Sequence, residues 1–193
     1  MNVTNTIYLD HAATTPMAPE VIEVMTTALT NNYGNASSIH TLGKKNRVLV
    51  DYARQTMAQS IGAHAREIII TSGGTEGDNM ALLKTAEHYA DKGNHIITTV
   101  IEHPAVLNPL RYLETKGFEV TYLPVNDKGQ VTLEQVKDAI RPETILISMM
   151  HANNEVGTVM PIQAVGEYLE SLDQEIAFHT DAVQAYGTVS LDV

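Results

Sequence analysis

The stretch "TSGGTEGDN", residues 71–79, joins the apolar run "EIII" of residues 67–70 to a segment with helical spacing, "MALLKTAEHYA". The run Ile68–Ile70 predicts a buried strand, and Thr75–Ala90 predicts a helix. Two glycines and a threonine at such a junction suit a tight turn with a helix cap. They also suit an anion site, because the first turn of a helix offers free N–H groups and the positive end of its dipole to a phosphate. The stretch lacks the lysine of a P-loop and the full dinucleotide fingerprint, so by itself it leaves both interpretations open.

The rest of the chain alternates between two hydrophobic periods. Short runs rich in Ile and Val predict further strands at Ile96–Val100, Val120–Leu123, Ile145–Met149 and Ile176–Phe178. Helical spacing predicts helices at 21–29, 42–61, Ala105–Lys116, Thr132–Ile140 and Ile162–Leu172, with a capping box formed by Thr132 and Gln135. Continuous apolar strands separated by helices are typical of a parallel sheet covered on both faces. The prediction is an α/β fold with a mostly parallel, doubly wound sheet.

The composition narrows the class of partner. Lys and Arg number 12 against 23 Asp and Glu, a net charge of −11, which argues against a nucleic-acid surface or an anionic membrane as partner. No apolar run approaches the ~20 residues that span a bilayer, and the first residues do not form a signal peptide. The absence of cysteine excludes disulfides and thiolate metal sites. We therefore expect a cytoplasmic protein with no metal site and with neither nucleic acid nor membrane as a direct partner.

Polar residues follow four of the predicted strands at their carboxyl ends. They are Gly74 and Thr75 after Ile68–Ile70, His103 after Ile96–Val100, Asn154 after Ile145–Met149, and Asp181 and Gln184 after Ile176–Phe178. In open parallel sheets, ligands bind in the crevice outside these ends. One such ending is commonplace, whereas four together predict a site.

The chemistry of this set describes one ligand. The glycine–threonine turn can hold a phosphate, and Asp181 can accept a hydrogen bond from a positively charged ring nitrogen. The flat ring of His103 can stack on an aromatic cofactor or move a proton. Asn154 and Gln184 can donate to a phenolic oxygen. Phosphate, pyridinium, stacked ring and phenolate together describe pyridoxal 5′-phosphate (PLP), whose ring nitrogen commonly pairs with an Asp.

Each of these residues also has a structural interpretation. Thr75 suits a helix cap, His103 beside a proline suits the start of a helix, Asp181 suits a cap of a helix through Ala185, and Asn154 suits a turn. Taken singly, these interpretations are favoured. Taken jointly, at four successive strand ends, the residues favour a cofactor site.

At these positions the sequence resembles the cysteine desulfurases of the NifS/IscS type, PLP enzymes with the aminotransferase-like fold of class V, fold type I. The matching stretches are "IYLDHAATTP", "YGNASSIH", "TSGGTEGDN", "EHPAV", "HANNEVGTVMPI" and "HTDAVQAYG", in family order along nearly the whole chain. One departure is Ala36, where the family usually has proline.

The resemblance implies a role for each candidate residue. Gly74 and Thr75 bind the cofactor phosphate, and His103 stacks on the ring and acts as the catalytic proton carrier. The resemblance places Asn154 and Gln184 near the ring oxygen, and it pairs Asp181 with the pyridine nitrogen.

The family's Schiff-base lysine, substrate-binding arginine and sulfur-accepting cysteine have no counterpart in the matched stretches. The seven lysines, Lys44, Lys45, Lys84, Lys92, Lys116, Lys128 and Lys137, are expected in helices or surface turns away from the strand ends. The chain ends 12 residues after Asp181. The resemblance therefore implies the truncated N-terminal half of an enzyme. We expect a segment 1–15 that packs on a small domain lying outside this chain, and the N-terminal part of the PLP-binding large domain at 16–193.

The implied activity is conversion of L-cysteine to L-alanine, leaving an enzyme-bound persulfide whose sulfur goes to an acceptor protein for tRNA thiolation or iron–sulfur assembly. A homodimer is expected, and the 193-residue chain alone is expected to be inactive. Two alternatives stay open at this stage: a non-catalytic PLP-fold scaffold or dimerisation module, and an enzyme similar to the selenocysteine lyases.

Overall fold

The computed structural model describes residues 7–193. They form two compact units, one made of the described residues up to Ile70 together with Leu191–Val193, the other of Thr71–Ser190. The division into a segment 1–15 and a cofactor-binding part 16–193 stays a prediction, and residues 1–6 of that segment lie outside the described part of the chain.

The first unit contains both helices predicted there. α1 is Pro19–Asn31 and α2 is Thr41–Ser60. A proline opens α1, where its missing N–H costs no helical hydrogen bond. His40 caps α2 by accepting a hydrogen bond from the Gly43 N–H at 3.3 Å.

The apolar stripe of α1 is not covered. No residue of α1 is buried, and the stripe that predicted the helix lies open to solvent at Val21, Ile22, Val24, Met25 and Leu29. An apolar face of this kind usually marks a surface that packs against another partner.

We expect this face to drive association of the 193-residue chain. Light scattering should give a mass above the 21.1 kDa of the single chain, because apolar surface is favourably removed from water. Replacing Val24 and Leu29 with Asp, at positions 68% and 79% exposed, should restore a monomer with unchanged helical circular dichroism. Thr27→Asp, on the opposite side of α1 by helical spacing, is the matched control and should stay associated. A monomeric wild-type chain would contradict this expectation.

The second unit alternates helices and strands. Its elements are α3 Gly74–His88, β1 His95–Thr99, α4 Pro104–Glu114, β2 Glu119–Leu123, α5 Leu133–Ala139, β3 Thr144–Ser148, α6 Ile162–Glu170 and β4 Ala177–His179. The four strands form one parallel sheet in the order β2-β1-β3-β4. The predicted strands from Ile96 onward and the predicted helices between them are confirmed to within about two residues.

Side chains on the two faces of this sheet enter separate cores. Ile97 and Ile147 pack with Val136 of α5 and Val165 of α6. Their strand neighbours, such as Ile96 and Leu146, pack on the other side with residues of α3 and α4. Successive strand residues point to opposite faces, so continuous apolar strands need helices on both sides. The doubly wound sheet is confirmed.

The order of the strands creates a switch point between β1 and β3. From β1 the chain crosses through α4 to β2 on one side, whereas β3 pairs with β1 on the other. In such sheets the crevice for a ligand opens at the carboxyl ends of the two strands that flank the switch. His103 follows β1 and Asn154 follows β3, so the fold brings these two residues to that crevice.

α5 begins with the predicted capping box. The Gln135 N–H donates to Thr132 Oγ1 at 3.3 Å, and the Thr132 N–H donates to Gln135 Oε1 at 2.9 Å. Two N–H groups at the helix end are therefore satisfied by side chains.

The strand predicted at Ile68–Ile70 does not form. Ile69 and Ile70 are 66% and 58% exposed, and no strand within residues 7–193 pairs with this run. The backbone groups of Ile68 are used locally, since its N–H donates to the Ala65 carbonyl at 3.4 Å and its carbonyl accepts from the Arg54 guanidinium. The prediction was wrong because a strand requires a neighbouring backbone, which an apolar run alone does not supply.

Candidate cofactor-binding site

A cleft of about 660 Å³ opens at the carboxyl ends of β1 and β3. It is lined by the loops after these two strands and by the turn after β2. Of the six candidate residues, His103 and Asn154 line the cleft together. The other four, Gly74, Thr75, Asp181 and Gln184, lie in neighbouring segments of the same unit and do not line it.

His103 is the N-terminal cap of α4. Its Nδ1 accepts a hydrogen bond from the Ala105 N–H at 3.1 Å, and its ring is exposed at the cleft. The structural interpretation of this histidine is therefore confirmed. The cap also determines the neutral tautomer, because an accepting Nδ1 leaves the proton on Nε2. Any proton that His103 exchanges with a ligand would pass through Nε2.

The turn after β3 is held by Asn153 and not by Asn154. Asn153 is buried, and its Oδ1 accepts from the N–H groups of Glu155 and Val156, both at 2.9 Å. Its Nδ2 donates to the Ile101 carbonyl at 3.2 Å and so joins the loop after β3 to the loop after β1. With this turn already held, the partly exposed Asn154 side chain is available to the cleft.

Asp181 lies two residues beyond β4. Its carbonyl accepts from the His151 N–H at 2.9 Å, and its Oδ1 accepts from the Val183 N–H at 3.0 Å. The segment that follows forms one helical turn around Ala182–Tyr186 and contains Gln184, which is partly buried. The carboxylate therefore starts this turn, as its cap interpretation requires, and retains Oδ2 as a further acceptor.

Gly74 and Thr75 open α3, as the sequence predicts. The preceding Gly73 provides no side-chain cap, so the first N–H groups of α3 are not covered by a cap residue. A Cβ on Gly74 would lie 2.8 Å from Val183 Cγ2. Glycine therefore allows the first turn of α3 to approach the segment that begins at Asp181.

A glutamate at α3 is tied to the loop before it. The carboxylate of Glu76 accepts from the Ser72 hydroxyl and from the Ser72 N–H, both at 2.6 Å. The hydroxyl bond, followed by the N–H bond, holds the pKa of Glu76 below its usual range. The two hydrogen bonds hold Ser72, in the loop before α3, against the first turn of the helix.

Glu102 was not among the predicted site residues. It is only 4% exposed and lines the cleft beside His103. Its Oε1 accepts from the Thr99 hydroxyl at 2.7 Å and from the Met150 N–H at 3.0 Å. Burial raises the pKa of Glu102 to about 7, and the two hydrogen bonds oppose that rise. The available signal was an acidic residue two positions after the predicted strand Ile96–Val100, at the start of the motif "EHPAV".

His179, at the end of β4, was also missed. Its Nδ1 lies 2.9 Å from the Ser148 hydroxyl, and its Nε2 lies 3.5 Å from Oδ1 of the buried Asp78 in α3. The imidazole thus links the ends of β3 and β4 to α3.

One lysine lies at the cleft, contrary to prediction. Lys128 occupies the turn after β2 and lines the cleft. The Thr158 hydroxyl donates to the Lys128 carbonyl at 2.6 Å and holds this turn against the loop after β3. The sequence correctly indicated a surface turn, but only the tertiary structure places that turn at the cleft.

No group of three or more His, Asp or Glu side chains within residues 7–193 is arranged to hold a metal ion. None of the helices described for these residues is long and apolar enough to cross a membrane.

Comparison with known proteins identifies the family. Aminotransferase class V matches residues 7–193. The cysteine desulfurase IscS of Methanosarcina thermophila is 50% identical over 187 residues, which are 97% of this chain and 46% of that protein.

Solved structures agree in fold. A NifS-like protein has a TM-score of 0.92 at 38% identity, and the match covers 97% of this chain and 51% of that one. SspA, solved in complex with cysteine, has a TM-score of 0.91 at 40% identity, with 97% and 54% covered. This chain thus spans about half the length of the relatives it matches. It belongs to the aminotransferase class-V family, and its homologues are the PLP-dependent cysteine desulfurases of the IscS/NifS type.

Proposed function

We propose that Gly74, Thr75, His103, Asn154, Asp181 and Gln184 belong to the cofactor-binding part of a cysteine desulfurase. Such an enzyme would take L-cysteine to L-alanine and pass the sulfur, by way of an enzyme-bound persulfide, to an acceptor protein for tRNA thiolation or iron–sulfur assembly. The observation that carries the proposal is the meeting of His103 and Asn154 in one cleft at the β1–β3 switch point. The cysteine bound by the related SspA supports L-cysteine as substrate.

The residues present fit PLP. An uncapped helix start with Gly74 and Thr75 suits a phosphate, and a carboxylate at Asp181 suits a protonated ring nitrogen. Thr180 Oγ1, next to Asp181 in the chain, is buried without a hydrogen-bond partner among the described residues. A buried hydroxyl without a partner is costly and is typical of a place where a ligand or water completes the network. When bound, the cofactor supplies an electron-withdrawing ring that stabilises a carbanion beside an amine.

Each residue would contribute a separate action. The first N–H groups of α3 and the Thr75 hydroxyl would hold the phosphate. Oδ2 of Asp181 would accept a hydrogen bond from the protonated ring nitrogen, while Oδ1 stays bonded to its own turn. His103 would stack on the ring and move a proton through Nε2. Amide groups of Asn154 and Gln184 would bind the ring oxygen.

A chimera tests the proposed activity. In this chimera, the present chain replaces the matched 187 residues of the Methanosarcina thermophila relative, and that relative supplies the part of its own length that the match does not cover. With PLP, we expect sulfide release from L-cysteine in the presence of a thiol reductant. A chimera that folds and binds PLP but releases no sulfide would overturn the proposed function.

Alone, the 193-residue chain should release no sulfide above the background of free PLP. It contains no cysteine to accept sulfur, and the only lysine found at the cleft among residues 7–193 lies in an exposed turn. The measurement is sulfide release from L-cysteine with added PLP. Borohydride reduction followed by mass spectrometry should find no cofactor on Lys128, and Lys128→Arg should behave as the parent chain. Steady turnover, or cofactor attached to Lys128, would contradict this expectation.

The remaining parts of the proposal concern the oligomeric state and the cellular location of the enzyme. We infer a homodimer, supported by the uncovered apolar stripe of α1. We also infer a cytoplasmic location without nucleic-acid or membrane partners, supported by the net charge of −11 and the absence of cysteine.

A further inference from the structure

Glu102 joins the two loops that carry His103 and Asn154. One carboxylate oxygen, Oε1, accepts a side-chain bond from Thr99 at the end of β1 and a backbone bond from Met150 just beyond β3. The same carboxyl group therefore holds both sides of the switch point, and His103 is the next residue in the chain. A displacement of Glu102 would be transmitted directly to both loops.

The second oxygen of Glu102 is unsatisfied. Oε2 is buried and has no hydrogen-bond partner within residues 7–193. A buried carboxylate without full pairing is expensive, so this group holds a proton more readily than an exposed glutamate. Burial accordingly raises the pKa of Glu102 to about 7. Near neutral pH, a modest change in nearby charge is enough to change its protonation.

Titratable and charged groups from several elements surround Glu102. They are Asp181 and His179 from the end of β4, Asp78 of α3 behind His179, His103 in the same loop, and Asp127, Lys128 and Glu155 at the cleft. Among the neighbours that act on Glu102, the negative charge of Asp181 disfavours ionisation, and His179 favours it. A positive charge placed on Asp181 would cancel the unfavourable effect.

We propose that Glu102 is a positioning residue that is linked by charge to Asp181, so that seating a protonated ring nitrogen on Asp181 releases a proton from Glu102. The inference rests on the proposed function, because PLP is the ligand that would bring this nitrogen. Once ionised, Glu102 binds the Thr99 hydroxyl and the Met150 N–H more strongly, since hydrogen bonds to a charged acceptor are the stronger ones. Binding of the cofactor would thereby tighten the two loops that present His103 and Asn154.

The sign of the pH dependence follows from this linkage. If binding releases a proton, affinity for PLP rises as pH rises through the range in which the free chain still holds that proton, around pH 6–8. A fall of about one unit in the pKa of Glu102 would change the affinity by about tenfold across this range. PLP titrates by itself, so the informative quantity is the ratio of dissociation constants between wild type and a variant that cannot titrate.

The experiment measures PLP binding to the 193-residue chain by calorimetry at pH 6, 7 and 8, in two buffers of different ionisation enthalpy. Glu102→Gln keeps an acceptor at Oε1 and removes the titration. Relative to this variant, the wild type should gain affinity by about three- to tenfold from pH 6 to pH 8. It should also release a fraction of a proton more on binding. Glu170→Gln, which removes an exposed carboxylate at the end of α6 that does not line the cleft, is the matched control and should follow the wild type.

A second variant does not depend on how well Glu102→Gln folds. Thr99→Val removes one bond that favours the ionised carboxyl group and should move the pH dependence to higher pH. An affinity ratio that is constant with pH, or Thr99→Val indistinguishable from wild type, would overturn the inference while leaving the proposed function intact. Failure of every protein to bind PLP would overturn both.

Discussion

His103→Asn should lower sulfide release by the chimera about 10²–10⁴-fold without unfolding it, because general acid–base catalysis typically contributes this much. Asn is among the best N-cap residues, so the variant keeps an acceptor for the Ala105 N–H, the bond that His103 Nδ1 makes at 3.1 Å. It loses the ring that stacks on the cofactor and the Nε2 that moves a proton. The loss should appear in single-turnover rates, and the visible absorbance of bound PLP should weaken.

Two variants separate catalysis from helix capping. His103→Ala removes both functions, so it should lose activity like the Asn variant and, in addition, about 0.5–2 kcal/mol of unfolding free energy. His88→Asn replaces an exposed histidine at the end of α3 and should retain parental activity. A normal single-turnover rate in His103→Asn would leave this residue with its capping role alone.

Asp181→Asn should reduce turnover of the chimera by about 10²–10³-fold, comparable to the loss of one preorganised electrostatic contact in an active site. The substitution keeps an oxygen that can accept from the Val183 N–H, so the turn after β4 should persist. It removes the negative charge that would keep the ring nitrogen protonated and the ring electron-withdrawing. We therefore expect a large loss of activity with a small change in unfolding free energy.

The matched control for this variant is Asp138→Asn in α5, which removes an exposed carboxylate that does not line the cleft. Its turnover and PLP absorbance should match those of the parent chimera. If Asp181→Asn kept near-parental turnover with PLP bound, the assignment of Asp181 to the ring nitrogen would be wrong.

The helices and most strands could be predicted because their cause is local. Periodic apolar residues specify which face of a segment leaves water, and the pair Thr132 and Gln135 satisfies N–H groups within its own helix. The parallel sheet could also be inferred, since strands that are apolar on both faces require cover on both. Parallel strands end at one edge of the sheet, so the polar residues after the strands were expected to gather there, and two of the six, His103 and Asn154, share the cleft.

Predictions failed where the structure of a segment depends on contacts with residues far away in the sequence. Ile68–Ile70 has the composition of a strand, but no neighbouring strand pairs with it. The carbonyl of Ile68 instead accepts a hydrogen bond from the Arg54 side chain. Lys128 sits in a predicted surface turn, and its place at the cleft depends on a bond from Thr158, thirty residues later in the chain.

The order of residues was enough to predict the family, the alternation of helices and strands, and the polar residues that follow the strands. Folding was needed to show that Glu102 is buried between the ends of β1 and β3, with one oxygen bonded twice and the other without a partner among the described residues. This difference arises because desolvation and charge act through space. A glutamate's neighbours along the chain influence its local backbone geometry, whereas its protonation depends on groups such as Asp181, which folding brings near.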